Sequence, residues 1–274
     1  MDVETHRHGA VGIVRIVRPE RRNAVDRATA DALSAAIAEL DGDTDLAAIV
    51  LTGSGGTFCA GADLHALEDT DRRNRLERST SAPMGPTRTF TRLPTIAAVE
   101  GHAVAGGLEL ALWCDLRIVA EDAVLGVFCR RVGVPLIDGG TVRLPRLVGL
   151  GVALDLVLTG RAVDAHEAQR IGLATRVVPA GTAESAAVAL GQELAGWPRR
   201  TMLSDLAATR AAFDRPVEQA LLHEHDLGVA SLEAGGARDG VRAFRAGGGR
   251  HGRADDLPAD PRPPHESSDS GDTT

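Results

Sequence analysis

The sequence predicts an α/β fold on three observations. Strand and helix signals alternate through the N-terminal half. The runs "LAAIVLTG" (Leu46 to Gly53) and "TIAAVEG" (Thr95 to Gly101) are short and apolar, and the first has the near-continuous pattern of a strand buried on both faces. From Gly139 onward the signals are mostly helical. In chain order, "VGIVRIV" (Val11 to Val17) reads as a strand and "RPERRNAVD" as a turn-rich link. Asp26 ends that link as the N-cap of a helix in which Leu33, Ile37 and Leu40 recur at helical spacing. "LAAIVLTG" runs into the glycine-rich "GSGGTFCAGADL". The Arg-rich stretch from Glu68 to Arg92 contains "SAPMGPT", which excludes one regular helix and predicts partial mobility. After "TIAAVEG" come a loop and a helix. "DLRIVAEDAVLGV" then returns to strand, and "ATRVV" (Ala174 to Val178) interrupts the later helices. Pro198 and Pro216 mark boundaries, with Val217 to Leu232 helical beyond the second. The expected organisation is a core over 1–195, a helical region over 196–250 and a tail over 251–274. That tail is Gly, Pro, Asp and Ser rich with almost nothing apolar, the composition of a disordered segment.

Composition narrows the function classes. Hydrophobic residues make up 43% and charged residues 25% of the 274, ordinary values for a globular protein. No apolar run reaches the ~18 residues of a membrane span, and "MDVETHRHG" lacks the features of a signal peptide, so a cytoplasmic location is expected. The net charge of −8 and an aromatic content of 3% argue against nucleic acid as the partner. Every basic residue is Arg, which excludes a Schiff-base lysine and a P-loop reading of "TGSGGTF". "GLGVAL" (Gly149 to Leu154) lacks the third glycine of a dinucleotide fingerprint. Cys59, Cys114 and Cys129 form no C-x-x-C pair, and an odd thiol count points to reduced cysteines. His6/His8 and His223/His225 are two residues apart and do not share a helix face, so no metal site is expected.

Two segments share a design in which a strand leads to a Gly/Ala-rich turn and a helix start: "AAIVLTGSGGTFCAGADL" and "TIAAVEGHAVAGGLELAL". Such turns let backbone N–H groups approach a ligand closely, and two converging N–H groups make an oxyanion hole. A helix opening at Gly106 or Gly107 adds positive potential at the same spot. Glu109 falls within its first turn, in a run too apolar for an unremarkable carboxylate. It is either a charge on a solvated helix face or a buried working acid.

"GTFCAGADL" and "GHAVAGGLELALWCDLRIV" closely resemble the crotonase superfamily, the enoyl-CoA hydratase/isomerase family, and "VLTGRAVDAHEAQRIGLATRVVP" (Val157 to Pro179) is similar to its following segment. The resemblance spans roughly Val11 to Phe244. It implies a crotonase-like spiral of ββα units whose C-terminal helices pack across a homotrimer, commonly doubled to a hexamer. It implies an acyl-CoA thioester as substrate, so coenzyme A arrives with the substrate and no cofactor is required. By position, Ala60 and Gly106 supply the oxyanion-hole N–H groups, and Gly61, Ala62, Asp63 and Leu64 line the thioester site. Arg22 is placed for the CoA phosphates and Phe244 for the adenine. Glu109 matches the first of two catalytic glutamates. The position of the second holds Cys129, and a thiol is a poor substitute at a reference pKa of ~8.5. Asp138 is similar to an aspartate of dienoyl-CoA isomerases, or else it caps a helix beginning near Gly139. The leading expectation is a lyase hydrating a 2-enoyl-CoA. A double-bond isomerase of the same fold is the alternative, and a non-catalytic CoA- or RNA-binding member is a more distant one.

Overall fold

A computed structural model describes residues 2–78, 81–235 and 237–246. The chain divides into two compact units, Met1–Ala195 and Gly196–Thr274. The segment expected to be a disordered tail lies outside the described residues.

The first unit opens with β1 (Val3–His8) and β2 (Val11–Ile16), an antiparallel hairpin turning at Gly9 with φ of 57°. The sequence reading missed β1 for a physical reason: it is an edge strand with only Val3 buried, so it shows no apolar pattern. Next come α1 (Arg27–Gly42), β3 (Ala48–Gly53), β4 (Thr95–Val99), β5 (His102–Val104) and α2 (Gly106–Trp113). Asp26 caps α1 as expected, accepting from the Thr29 N–H at 3.1 Å. Leu33 and Ile37 are buried and Leu40 packs against the core. The unit continues through β6 (Leu116–Ala120), β7 (Val124–Gly126), α3 (Gly140–Val148), α4 (Leu150–Thr159), β8 (Ala162–Asp164), α5 (Ala165–Arg170), β9 (Arg176–Val178) and α6 (Ala183–Ala195).

These strands form a six-stranded sheet in the order β1-β2-β3-β4-β6-β9 and a three-stranded sheet in the order β5-β7-β8. Apart from the β1/β2 hairpin, every pair in the larger sheet is parallel. The chain repeats one move: β4 joins the large sheet and β5 the small one, then β6 joins the large sheet and β7 the small one. Helices follow each pair, which is the ββα spiral that the sequence resemblance implied.

The large sheet is buried on both faces because its strands alternate apolar residues both ways. Val11, Ile13, Ala48, Val50, Ile96, Ala98 and Ile118 meet Ala183, Ala187 and Leu190 of α6. Val14, Ile16, Ile49, Leu51, Ala97 and Val99 face the main core with Leu33 and Leu108. The Glu68 to Arg92 stretch, expected to be partly mobile, contributes Ala82, Met84 and Thr87 as buried residues. It has one 3₁₀ turn, Pro86–Arg88, among its described residues. The second unit holds α7 (Arg199–Ala211), α8 (Val217–Glu233) and α9 (Arg238–Arg245), the first two starting directly after Pro198 and Pro216. Phe213, Val217, Leu221, Leu222 and Leu232 are exposed on it. Among the described residues no helix is long and apolar enough to cross a membrane.

At Gly191, α6 packs tightly against the sheet. A Cβ there would lie 2.7 Å from Val11 Cγ2. Gly191→Val therefore overpacks that face and is expected to lower stability by about 1–3 kcal/mol, read from the midpoint of urea unfolding.

Candidate active site

The two glycine-rich turns are stitched together by backbone bonds. Phe58 N–H donates to Glu100 O at 2.8 Å, Cys59 N–H to His102 O at 2.9 Å, and Val104 N–H to Cys59 O at 3.1 Å. On its other side the first turn pairs with the link after β2. Val25 N–H donates to Gly61 O and Asp63 N–H to Val25 O. Helix α2 then starts against this layer. A Cβ on Gly107 would lie 2.0 Å from the Cys59 carbonyl oxygen, and one on Gly61 would lie 3.0 Å from Gly106 N. Only glycine permits that approach, and Gly61 also takes φ of 102°. Ala105, the residue before α2, is held at φ of 53°, a strained value for alanine.

This arrangement corrects one donor assignment. The Ala60 N–H, expected to hold the thioester oxygen, donates instead to Arg22 O at 3.0 Å. The Ala62 and Gly106 N–H groups take no partner among the described residues, and both residues line one cavity of about 390 Å³. The left-handed Gly61 between Ala60 and Ala62 breaks the extended alternation, which lets the two N–H groups go separate ways. Ala62 was therefore overlooked as a donor. A glycine in this motif could have signalled the break.

The other expected contacts are distributed unevenly. Ala60 and Leu64 line the cavity, whereas Gly61 and Asp63 do not. Asp63 is turned into the protein. Its carboxylate accepts from Arg18 Nη2 at 3.0 Å and from the His65 N–H at 3.0 Å, capping a short 3₁₀ turn. Its role is to anchor the turn rather than to meet a ligand. Arg22 adopts φ of 50° and is exposed, its guanidinium making no hydrogen bond or ion pair among the described residues. Phe244 stands on α9 in the second unit and is exposed.

Glu109 lines the cavity and is only 2% exposed, so the solvated-helix alternative is excluded. Its Oε1 accepts from Asp138 N–H at 2.9 Å and from Gly140 N–H, at the start of α3, at 2.8 Å. No hydrogen bond reaches Oε2 among the described residues. Burial pushes the carboxyl up to about 7, and the neighbouring Asp138 charge pushes the same way. The N–H groups of Gly140 and Asp138 oppose the rise without cancelling it.

Asp138 also lines the cavity and is buried. Its Oδ1 accepts from Met84 N–H at 2.9 Å and from the Thr87 hydroxyl at 2.7 Å. The helix-cap reading fails here, because Gly139 is the N-cap of α3 and no side chain caps it. Burial raises the Asp138 carboxyl as well. Arg143, which the sequence reading did not single out, ties the same elements together. Its Nη1 donates to Asp138 O at 3.0 Å and its Nη2 to Thr87 O at 2.6 Å. Cys129 is 4% exposed on the cavity wall, and burial raises its thiol, so it is held neutral. Among the described residues no group of three or more His, Cys, Asp and Glu side chains could hold a metal ion.

The spiral fold, with an acid and two N–H groups that are unpaired among the described residues, all on residues lining one cavity, fits a class of enzymes acting on activated acyl groups. Comparison with known proteins identifies the family within it. The sequence model described as Enoyl-CoA hydratase/isomerase matches residues 6–246. A Mycobacterium bovis protein named "Probable enoyl-CoA hydratase echA8" is 36% identical over 234 residues, covering 85% of this chain and 91% of that one. The enoyl-CoA hydratase EchA19 of Mycobacterium tuberculosis is 32% identical over 250 residues, covering 89% and 93%. The crystal structure of enoyl-CoA hydratase EchA1 from Mycobacterium marinum matches with a TM-score of 0.85 at 30% identity, covering 89% of this chain and 96% of that one. The chain belongs to the enoyl-CoA hydratase/isomerase family, the crotonase superfamily.

The raised Glu109 value has a consequence for stability. The folded chain retains a proton up to about 7, whereas an unfolded glutamate releases it near its ordinary 4.5. The folded state thus binds more protons across that window, and stability falls as pH rises through it, by a total on the order of 3 kcal/mol. Glu109→Gln removes the effect. The variant is expected to melt higher than the native protein at pH 8 and close to it at pH 4.5, as scanning calorimetry would show.

Proposed function

We propose that the protein is an enoyl-CoA hydratase that adds water across the double bond of a 2-enoyl-CoA thioester. The observation that carries this is the composition of one cavity wall: two unpaired N–H groups, on Ala62 and Gly106, and the Glu109 carboxyl lifted to about 7. The two N–H groups receive the thioester oxygen, and the α2 N-terminus adds positive potential as negative charge develops there. A carboxyl near 7 is matched to moving protons at neutral pH. Ionised Glu109 takes a proton at Oε2 from the water whose oxygen bonds to the β-carbon. The α-carbon then gains a proton from the carboxyl pair, Glu109 or Asp138, so that one water is added in total. The names of the relatives support hydration. Coenzyme A is part of the substrate, and no separate cofactor is needed. Arg22 is assigned to the CoA phosphates and Phe244 to the adenine. The apolar residues exposed on the second unit support a homotrimer or a hexamer of two trimers, working in the cytoplasm.

One observation favours a second reading. Cys129 lies neutral on the wall where hydratases are expected to place a second carboxylate. Double-bond isomerisation moves one proton between two carbons and needs only one base. Incubation with 2-enoyl-, 3-enoyl- and dienoyl-CoAs, followed by mass analysis, separates the two. A gain of one water identifies the hydratase, and an isobaric product identifies the isomerase.

Glu109→Gln is expected to lower kcat by about 10²-fold or more with thioester affinity within a few-fold, measured by steady-state kinetics and calorimetric titration. The native kcat/KM should rise with pH through about 7, because the base must be ionised. Asp138→Asn is expected to reduce the rate about 10²-fold, and Cys129→Ala to leave it nearly unchanged. The reverse ranking would assign the proton transfer to the thiol.

A further inference from the structure

Two arginines line the cavity that the proposed chemistry does not use. Arg73 and Arg131 are both exposed, so they are accessible to a ligand that enters it. Neither has a carboxylate partner among the described residues, and the Arg73 guanidinium makes no hydrogen bond there either. In a chain of net charge −8 acids are in excess, and the neighbours of Arg73 find them. Arg72 Nη2 lies 3.3 Å from Asp26 Oδ2 and 3.6 Å from Asp63 Oδ2, and Arg75 pairs with Asp31. Of the three arginines in "RRNR", the one that lines the cavity is the one without an acid among the described residues.

Both cations are carried on fixed backbone. Arg73 N–H donates to Asp69 O at 2.8 Å, and its carbonyl accepts from Arg27 Nε at 3.1 Å. Arg131 belongs to a 3₁₀ turn, Phe128–Val132. Its guanidinium lies over the Phe128 ring, 3.5 Å from the centroid, and its Nη2 donates to Gly160 O at 3.1 Å. Phe128 lines the cavity too. The ring and one carbonyl orient the group yet leave most of its N–H donors unspent. The same turn relates Arg131 to the reacting end of the substrate. Cys129, on that turn, shares the cavity wall with Glu109, and the Glu109 charge acts on its thiol. A cation on this turn is within reach of an acyl chain, whereas the phosphates of coenzyme A are separated from the thioester by the whole pantetheine arm. Much of the remaining wall is apolar, including Leu64, Leu67, Leu76 and Val132. Such surroundings screen a cation less than water does.

We propose that Arg73 and Arg131 form a carboxylate-binding site and that the acyl chain of the preferred thioester ends in a carboxylate. This deepens the function proposed above and rests on it. A guanidinium takes a carboxylate through charge-assisted N–H···O bonds that an uncharged chain end does not reproduce. The two arginines also offset the repulsion that such a chain meets from Glu109 and Asp138 in the same cavity.

Binding of saturated thioesters tests this without requiring turnover. Dissociation constants are measured by calorimetry for glutaryl-, adipoyl- and suberoyl-CoA and for the ω-carboxamide of each, which keeps the shape and removes the charge. The native protein is expected to favour the acid over its amide by about tenfold or more for at least one chain length. In the double variant Arg73→Gln, Arg131→Gln that ratio should fall to within about twofold. Each ratio is taken on one protein sample, so partial unfolding of the variant cancels. Equal binding of acid and amide at every length by the native protein overturns the inference, as does a ratio that persists in the double variant. Weaker binding of acids and amides alike, with the ratio kept, would assign the arginines to the phosphates of coenzyme A and overturn it too. An arginine-dependent preference in a protein that converts no enoyl-CoA, carboxylated or not, would refute the proposed reaction and leave this site standing. Turnover of enoyl-CoA without such a preference would do the opposite.

Discussion

The site depends on how closely the first turn of α2 approaches the Cys59–Gly61 backbone. With any side chain at Gly107, the helix would have to move away from the Cys59 carbonyl. With one at Gly61, the Gly106 N–H would be crowded. Two unpaired N–H groups from two separate turns can line one cavity only because both positions lack a Cβ. The rest of the fold maintains that contact. The larger sheet, packed on both faces, sets the strand ends, and the buried Arg18–Asp63 pair locks the first turn from behind. The strained Ala105 is held by its N–H bond to Gly126 O on β7. Strain of this kind persists where the surroundings over-determine it.

The same closeness sets the electrostatics. Glu109 sits deep because α2 does, and burial is the largest influence on its carboxyl. Two N–H donors at Oε1 would hold an exposed carboxylate ionised at low pH. Here they only moderate the effect of burial, and Asp138 adds to the rise. The outcome is a carboxyl poised near neutrality at a cost in stability, a familiar conflict between a functional site and the fold that carries it. Arg143 moderates the conflict by holding the Asp138 and Thr87 carbonyls, which keeps the two acids at a defined separation.

Much of this was legible in the sequence because it depends on local pattern. The strands with near-continuous apolar runs, the Asp26 cap and the Pro-marked helix starts all follow from rules that act over a few residues. Glu109 stood out because an acid in an apolar run has few structural uses. What was not legible required knowing which backbone groups meet at a distance. Ala60 and Ala62 are indistinguishable by composition, and only the Arg22 carbonyl, 38 residues away by numbering, separates them. Asp63 looked like a site carboxylate until Arg18 was seen behind it.

The hydrogen bonds at Glu109 also bear on how the chemistry divides. Because Oε1 is held by two N–H groups, the proposed chemistry passes protons through Oε2. A single oxygen can remove a proton from one carbon and return it to another, which is all that isomerisation requires. Hydration asks for more: the water must be deprotonated and oriented while the α-carbon is protonated. If one oxygen performs both transfers, a second group must hold the water. Cys129 hydrogen-bonds weakly and is neutral, so it positions water poorly. Asp138 has the acceptor chemistry, and Met84 and Thr87 hold its Oδ1; on the proposed reading Oδ2 is the oxygen that meets the water. On the proposed reading, with Cys129 where a second carboxylate is expected, Asp138 takes the water-holding role. The balance between hydration and isomerisation becomes a question of how well Asp138 fills it.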